Sequence, residues 1–278
     1  MQQSRTQAPA FYKWLWEKPC ADTVKGFLPN ESSPSAQNEM VMMKAAILAG
    51  GAGTRLYPIT TYVPKTLLPL GNRYVIEYVI DYLKRHGITE LVMLLSESES
   101  ELVRNHLGEG ARYGVSVEYS IAERIGTAGA LGAAADVLGD RFVAYYGDVL
   151  TDMNLSEMIN FHAKRKATCT IAMSTSVPID YGVGRVADDG KLTYFEEKPV
   201  LKEYPMSMGI HVLEGEVLAY CKPKTDLAHD VIPKLMHDGK SVYAYLTEKR
   251  HYDIGTFKAL EEVRGLFEQN KQLFPTDL

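Results

Sequence analysis

The stretch of this chain best suited to chemistry runs from Leu48 to Leu56, LAGGAGTRL, with Pro64 and Lys65 following. Leu48 and Ala49 close a short apolar run, and Gly50, Gly51 and Gly53 then make a loop whose backbone N–H groups can close round phosphate oxygens. Glycine suits such a nest because it bends through positive φ and lets a ligand approach where a Cβ would stand. Thr54 adds a hydroxyl, Arg55 a fixed fork of donors, and Lys65 a movable point charge. Two commoner glycine loops are excluded. A P-loop ends in Gly-Lys-Ser/Thr, whereas Thr54-Arg55 stands here, and a dinucleotide fingerprint needs a third glycine where Leu56 sits.

Four further groups carry polar or conformationally special residues: Gly147-Asp148, Glu196 to Pro199 (EEKP), Met208 to His211 (MGIH) and Tyr252 to Thr256 (YDIGT). Taken singly, each has a plain reading. Asp148 caps a turn, Glu196, Glu197 and Lys198 form a solvated charge cluster, and Asp253 is a turn residue before Gly255. His211, His229 and His251 read as surface or packing residues.

The elements that must hold these residues alternate. Ala45–Leu48, Leu91–Leu95, Val115–Tyr119, Arg141–Tyr146 and Ala167–Ser174 read as strands. Between them Val75–His86 has the 3.6-residue apolar spacing of a helix that ends at Gly87. Glu99–Leu107, the Ala/Gly-rich Thr127–Leu138 and Leu155–Arg165 also read as helices. This alternation predicts an α/β fold, a mostly parallel, Rossmann-like sheet with helices on both faces and ligands at the carboxyl ends of its strands. After about residue 180, Tyr181–Val186, Leu192–Glu197 and Met208–Leu213 read as strands of a small mixed-β part at the sheet's edge. Leu227–Leu235 and the stretch from Thr256 onward read as helices.

Bulk properties narrow the function classes. The 278 residues are 46% hydrophobic with a formal charge of −5, so no basic field for nucleic acid is expected. Cys20, Cys169 and Cys221 match no metal spacing, and a reducing cytoplasm is the default expectation. No apolar run approaches the ~20 residues of a membrane span. Residues 1–42 read as an extension or linker ahead of a catalytic domain over 43–278. Both tryptophans lie in this extension, between Phe11 and Trp16. It is expected either to dock on a surface or to be a disordered leader before a start at Met40, Met42 or Met43.

Together, in order and spacing over about residues 43 to 265, these motifs resemble the sugar-1-phosphate nucleotidyltransferases, the nucleotide-sugar pyrophosphorylases. The resemblance implies the nucleotide-diphospho-sugar transferase fold and a reaction in which a sugar 1-phosphate oxygen attacks the α-phosphorus of a nucleoside triphosphate and pyrophosphate leaves. Both partners are anions, so catalysis is mostly positioning and charge neutralisation. By resemblance, Gly50, Gly51, Gly53 and Thr54 cradle the triphosphate and nucleoside, Arg55 holds the β- and γ-phosphates, and Lys65 serves the α-phosphate. Asp148 and Asp253 bind Mg²⁺. Lys198 grips the sugar phosphate and Glu197 the sugar hydroxyls, while Gly182 and Gly209 let backbone approach the sugar ring. Oligomers are frequent among relatives, so a homo-oligomer is an expectation by analogy.

The chain departs from the family's pattern at three places. Thr66 follows Lys65 where a proline is frequent, Gly71 to Tyr74 (GNRY) lacks the next proline, and Met208 stands where many relatives carry Asn or Thr. The loss of two prolines bears on loop stiffness and Met208 on the sugar. Base choice is expected near Ala122–Ala130, where no glutamine stands to pair a pyrimidine. The run from Gly126 and Thr127 to Leu131 looks more like the mannose-1-phosphate guanylyltransferase branch, with Glu123 as acceptor for a guanine edge. Glucose-1-phosphate thymidylyl-, uridylyl- or cytidylyltransferase is the alternative within the family. Outside it stand a glycosyltransferase, which usually shows Asp-x-Asp, and a non-catalytic subunit that binds nucleotide sugar.

Overall fold

The computed structural model describes residues 43–202 and 204–269. The reading of the first 42 residues lies outside them. Seven strands form one sheet: β1 (Lys44–Leu48), β2 (Glu90–Leu95), β3 (Ser116–Ile121), β4 (Arg141–Tyr146), β5 (Cys169–Ser174), β6 (Met206–Glu214) and β7 (Val242–Thr247). Their order is β7-β5-β6-β4-β1-β2-β3. Every neighbour pair is parallel except those of β6, which runs antiparallel to both β4 and β5.

Two hydrophobic layers cover the sheet. Ala45 and Ile47 of β1 point into one, with Val143 and Tyr145 of β4. Ala46, Phe142 and Ala144 point into the other. A strand buried on both faces has no polar alternation, which is why these runs look uniformly apolar in sequence. The first layer is closed by α1 (Val75–Arg85), α2 (Glu97–Leu107), α5 (Leu155–Arg165) and α7 (Phe257–Gln269). The second is closed by α3 (Thr127–Ala133), α4 (Ala135–Leu138) and α6 (Ile232–His237).

The expected α/β sheet stands, with three differences in its parts. Met208–Leu213 is not in a peripheral β part: it lies in β6, between β4 and β5. Met208 and Ile210 to Leu213 are all fully buried, the signature of a central strand rather than an edge. The helix expected over Thr127–Leu138 breaks at Ala134 (φ −100°, ψ 10°), in a stretch where Gly129 and Gly132 lower helix propensity. β7 had no counterpart in the sequence reading, although Val242 to Leu246 (VYAYL) is a short apolar run; such a run does not by itself tell a strand from a helix segment. The small mixed-β part that remains is a hairpin of Val183–Val186 with Leu192–Glu196 and a short pairing of Val177–Pro178 with Val200–Leu201.

The chain leaves β1 for β2 and β3 on one side and returns to β4 on the other. The sheet therefore has its switch point between β1 and β4, and the loops leaving those two strands diverge there to open a crevice.

Candidate active site

A cleft of about 630 Å³ occupies that crevice. Leu48, Ala49, Gly50 and Gly51 line it from the end of β1, and Tyr146 and Asp148 from the end of β4. Gly50 lies against the end of β2, where a Cβ would stand 2.8 Å from the Ser96 nitrogen, while Gly51 faces open space. Of the three loop glycines only Gly53 has positive φ, at 59°. Its carbonyl accepts the Thr60 hydroxyl at 2.9 Å. The nest is therefore built by close backbone approach as much as by left-handed turns.

The two cations sit on short 3₁₀ turns with buried anchors. Arg55 is held by Leu56, and Lys65 by Thr66 and Leu67. The two carboxylates come together through backbone pairing. Val149–Thr151 runs antiparallel to His251–Asp253 with Asp253 opposite Val149, and the Ile254 N–H donates to the Asp148 carbonyl at 2.9 Å. Each carboxylate faces one cation. Lys65 Nζ forms an ion pair with Asp148, and Arg55 lies 3.7 Å from Asp253. Gly255 makes room for the second pair, since a Cβ there would meet Arg55 at 2.7 Å.

The opposite wall carries Glu123, Gly126, Thr127 and Ala130. The N–H groups of Ala128 and Gly129 at the start of α3 already bond the Thr225 carbonyl, at 3.1 and 3.3 Å. These two amides are therefore not offered to an anion, which suits this wall to a nucleoside better than to phosphate. Arg124 next to Glu123 is tied to Glu99 at 2.8 Å. The floor is made by Met208 and Gly209 at a bulge in β6. Gly209 has φ 72°, and a Cβ there would fall 2.2 Å from the Tyr146 ring, so only glycine lets the strand pass that ring. Burial, followed by the nearby Asp226 charge, pushes the Tyr146 phenol up to about 12.

Five of the candidate site residues do not line this cleft: Gly53 and Thr54, of which Thr54 lines a neighbouring cavity, and Gly182, Glu197 and Lys198. The last three belong to the hairpin region. Gly182 lies against Glu197, whose Oε2 would be 2.8 Å from a Cβ there, and Lys198 has φ 50°. Asp180, just before them, pairs with Lys258 on α7. The hairpin is thereby tied to the helix that follows Asp253.

Sequence reasoning passed over Ser96, Ser120, Tyr146 and Ala228 as cleft residues. His211 packs fully buried and His229 is exposed, as expected. His251 packs too, but also lines the cleft. Burial lowers its pKa against the opposing charges of Asp253 and Asp148. Its position two residues before Asp253 on a strand was the available signal, since i and i+2 share a face.

At the sites of the lost prolines the structure supplies other ties. Thr66 is buried and packs on Gly147, where a Cβ would be 2.9 Å from its methyl. Arg73 bonds Asp81 at 2.6 Å and Glu77 at 3.2 Å.

Asp148 and Asp253 fit a hard divalent cation that completes its oxygen shell from phosphates and water. Among the described residues, no group of three or more His, Cys, Asp or Glu side chains forms a protein cage for a metal.

The nucleotidyl transferase family model matches residues 44–270. The UTP–glucose-1-phosphate uridylyltransferase of Synechocystis is 33% identical over 235 residues, covering 77% of this chain and 60% of that protein. The mannose-1-phosphate guanyltransferase of Saccharomyces cerevisiae is 33% identical over 224 residues, covering 77% and 61%. A crystal structure from Bacillus anthracis, provisionally a glucose-1-phosphate thymidylyltransferase, matches with a TM-score of 0.65 and 29% identity. It covers 81% of this chain and 94% of that one. The chain spans about 60% of the length of the two enzymes from Synechocystis and yeast.

Proposed function

The chain belongs to the nucleotidyl transferase family, and on that premise we propose that it transfers a nucleotidyl group from a nucleoside triphosphate to a sugar 1-phosphate, releasing pyrophosphate. One observation carries the reading: Arg55 and Lys65 meet Asp148 and Asp253 in the same cleft as the glycine loop. The reaction brings anion to anion, and a site for it needs cations for the phosphates and carboxylates for a metal, with no side-chain nucleophile.

In this reading Mg²⁺ is held by Asp148 and Asp253, where it supplies charge neutralisation for the triphosphate. Arg55 binds the β- and γ-phosphates and Lys65 the α-phosphate, each leaving the carboxylate it now faces. Gly50 and Gly51 admit the phosphates to the backbone. Glu123 and the Gly126–Ala130 wall hold the nucleoside, and Met208 and Gly209 border the sugar. From the hairpin region beside the cleft, Lys198 grips the sugar phosphate and Glu197 the sugar hydroxyls, while Gly182 lets backbone approach the sugar ring.

GTP with mannose 1-phosphate, or a related sugar or cyclitol phosphate, is the proposed pair. Glu123 on the nucleoside wall favours it, as a carboxylate accepts from the two donors of a guanine edge. Uridylyl or thymidylyl transfer to glucose 1-phosphate is the second reading, favoured by the names of the Synechocystis and Bacillus anthracis relatives. The test is pyrophosphate release with Mg²⁺ for GTP, UTP, dTTP, CTP and ATP against each sugar phosphate. GTP is expected to rank first; a low rank for GTP overturns the guanylyl assignment.

A further inference from the structure

We propose that Asp226 is a positioning residue for the triphosphate, locking Thr127 and so fixing the nucleoside wall of the cleft; this rests on the nucleotidyl-transfer reading. Asp226 does not line the cleft, whereas Thr127, Ala130 and Ala228 do. Its carboxylate joins those walls. One oxygen accepts the Thr127 hydroxyl at 2.7 Å, and the other accepts the N–H groups of Ala228 and His229, each at 2.8 Å. The Thr127 hydroxyl in turn accepts the Leu227 N–H at 2.8 Å. Residues a hundred positions apart thus exchange bonds in both directions.

The backbone around this latch is built for close approach. Lys224 N–H donates to the Ile125 carbonyl at 2.6 Å. Gly126, Gly129 and Gly132 form a stripe along α3 against the segment from Cys221 to Thr225. A Cβ at Gly126 would fall 2.2 Å from the Thr225 carbonyl oxygen, and one at Gly132 would fall 2.6 Å from that of Cys221. Glycines permit the contact but do not set its register. Among the described residues, the side-chain hydrogen bonds that join the two segments are those of Asp226 and Thr127. The Thr127 hydroxyl already donates to Asp226 and accepts from Leu227. Thr127 therefore serves the nucleotide chiefly through its place in the wall, and Asp226 determines that place.

A wall held in register is preorganised, and loosening it raises the cost of ordering on binding rather than the barrier to transfer. The effect belongs in the dissociation constant of the triphosphate. The test uses the full chain, with calorimetric titration of each of the five triphosphates, followed by kcat and KM for the one that binds best. Asp226→Ala and Thr127→Val are each expected to weaken binding roughly tenfold, from loss of a charge-assisted bond. For Asp226→Ala, which lies outside the cleft lining, the kcat at saturation should stay within about threefold of the parent, and Thr127→Ser, which keeps the hydroxyl, should bind more tightly than Thr127→Val. If Asp226→Ala does not fold, Thr127→Val leaves the Ala228 and His229 bonds in place and gives the same readout.

Unchanged dissociation constants in the variants, a fall in kcat alone, or a Thr127→Ser variant as weak as Thr127→Val would overturn the inference. A parent chain that binds none of the five triphosphates would overturn the proposed function, and the inference with it.

Discussion

Arg55, Lys65, Asp148 and Asp253 are arranged as two cation–carboxylate pairs, so the free cleft is close to neutral at its phosphate end. In the proposed reaction the carboxylates would turn to the metal and the cations to phosphate. Replacing Arg55 by Ala or Asp148 by Asn is expected to cut turnover by ~10²–10⁴-fold, because each removes charge stabilisation that grows in the transition state. Near-normal turnover in Asp148→Asn would refute its metal role.

A second residue-scale prediction concerns buried histidines. Burial pushes His211 down to about 4, against smaller pulls from the Ala144 backbone and the Asp226 charge, and His86 likewise to about 4. Neither His211 nitrogen has a hydrogen-bond partner of normal geometry among the described residues. An unfolded histidine takes its proton near pH 6.5. Stability from these groups is therefore full above that pH and lost as pH falls from there toward 4, where the unfolded chain binds more protons. Urea midpoints measured from pH 7.5 to 4 should show this fall, and His211→Leu should flatten it without loss at neutral pH. A slope identical to the parent's would contradict the assignment.

Among the elements, the strands and helices around the crevice were legible because their periodicity and terminal glycines are local signals. β1, α1, β4 and α5 were read almost to the residue, and with them the loops that carry Arg55 and Asp148. What was not legible was long-range. The place of β6 inside the sheet depends on pairing with β4 and β5. The convergence of Asp253 on Asp148 depends on a two-strand ladder about a hundred residues apart in sequence, and the glycine stripe of α3 has meaning only against Cys221–Thr225. That stripe predicts a contrast between two glycines of equal φ. Gly126 and Gly139 both have φ 80°, but a Cβ at Gly139 meets nothing within 4 Å. Gly139→Ala should therefore cost about 1 kcal/mol, from backbone strain alone. Gly126→Ala should cost roughly 2 kcal/mol or more beyond that, since backbone must move. Denaturation of both variants checks this; equal costs would remove the close-contact explanation.

At the scale of the whole molecule, the groups that the proposed chemistry needs gather at the carboxyl edge of one sheet, apart from Asp253, which a separate two-strand ladder brings there, and the hairpin region bearing Glu197 and Lys198. The family match begins at residue 44, so a chain lacking residues 1–39 is expected to keep the parent's kcat, measured by pyrophosphate release. The most direct test of nucleotidyl transfer is the fate of label from the preferred triphosphate, carried at the α-phosphate in one sample and the γ-phosphate in another. The account predicts α-label in a sugar nucleotide and γ-label in pyrophosphate, both only when a sugar 1-phosphate and Mg²⁺ are present. Label in free nucleoside mono- or diphosphate, γ-label on the sugar, or no dependence on the sugar phosphate would contradict it.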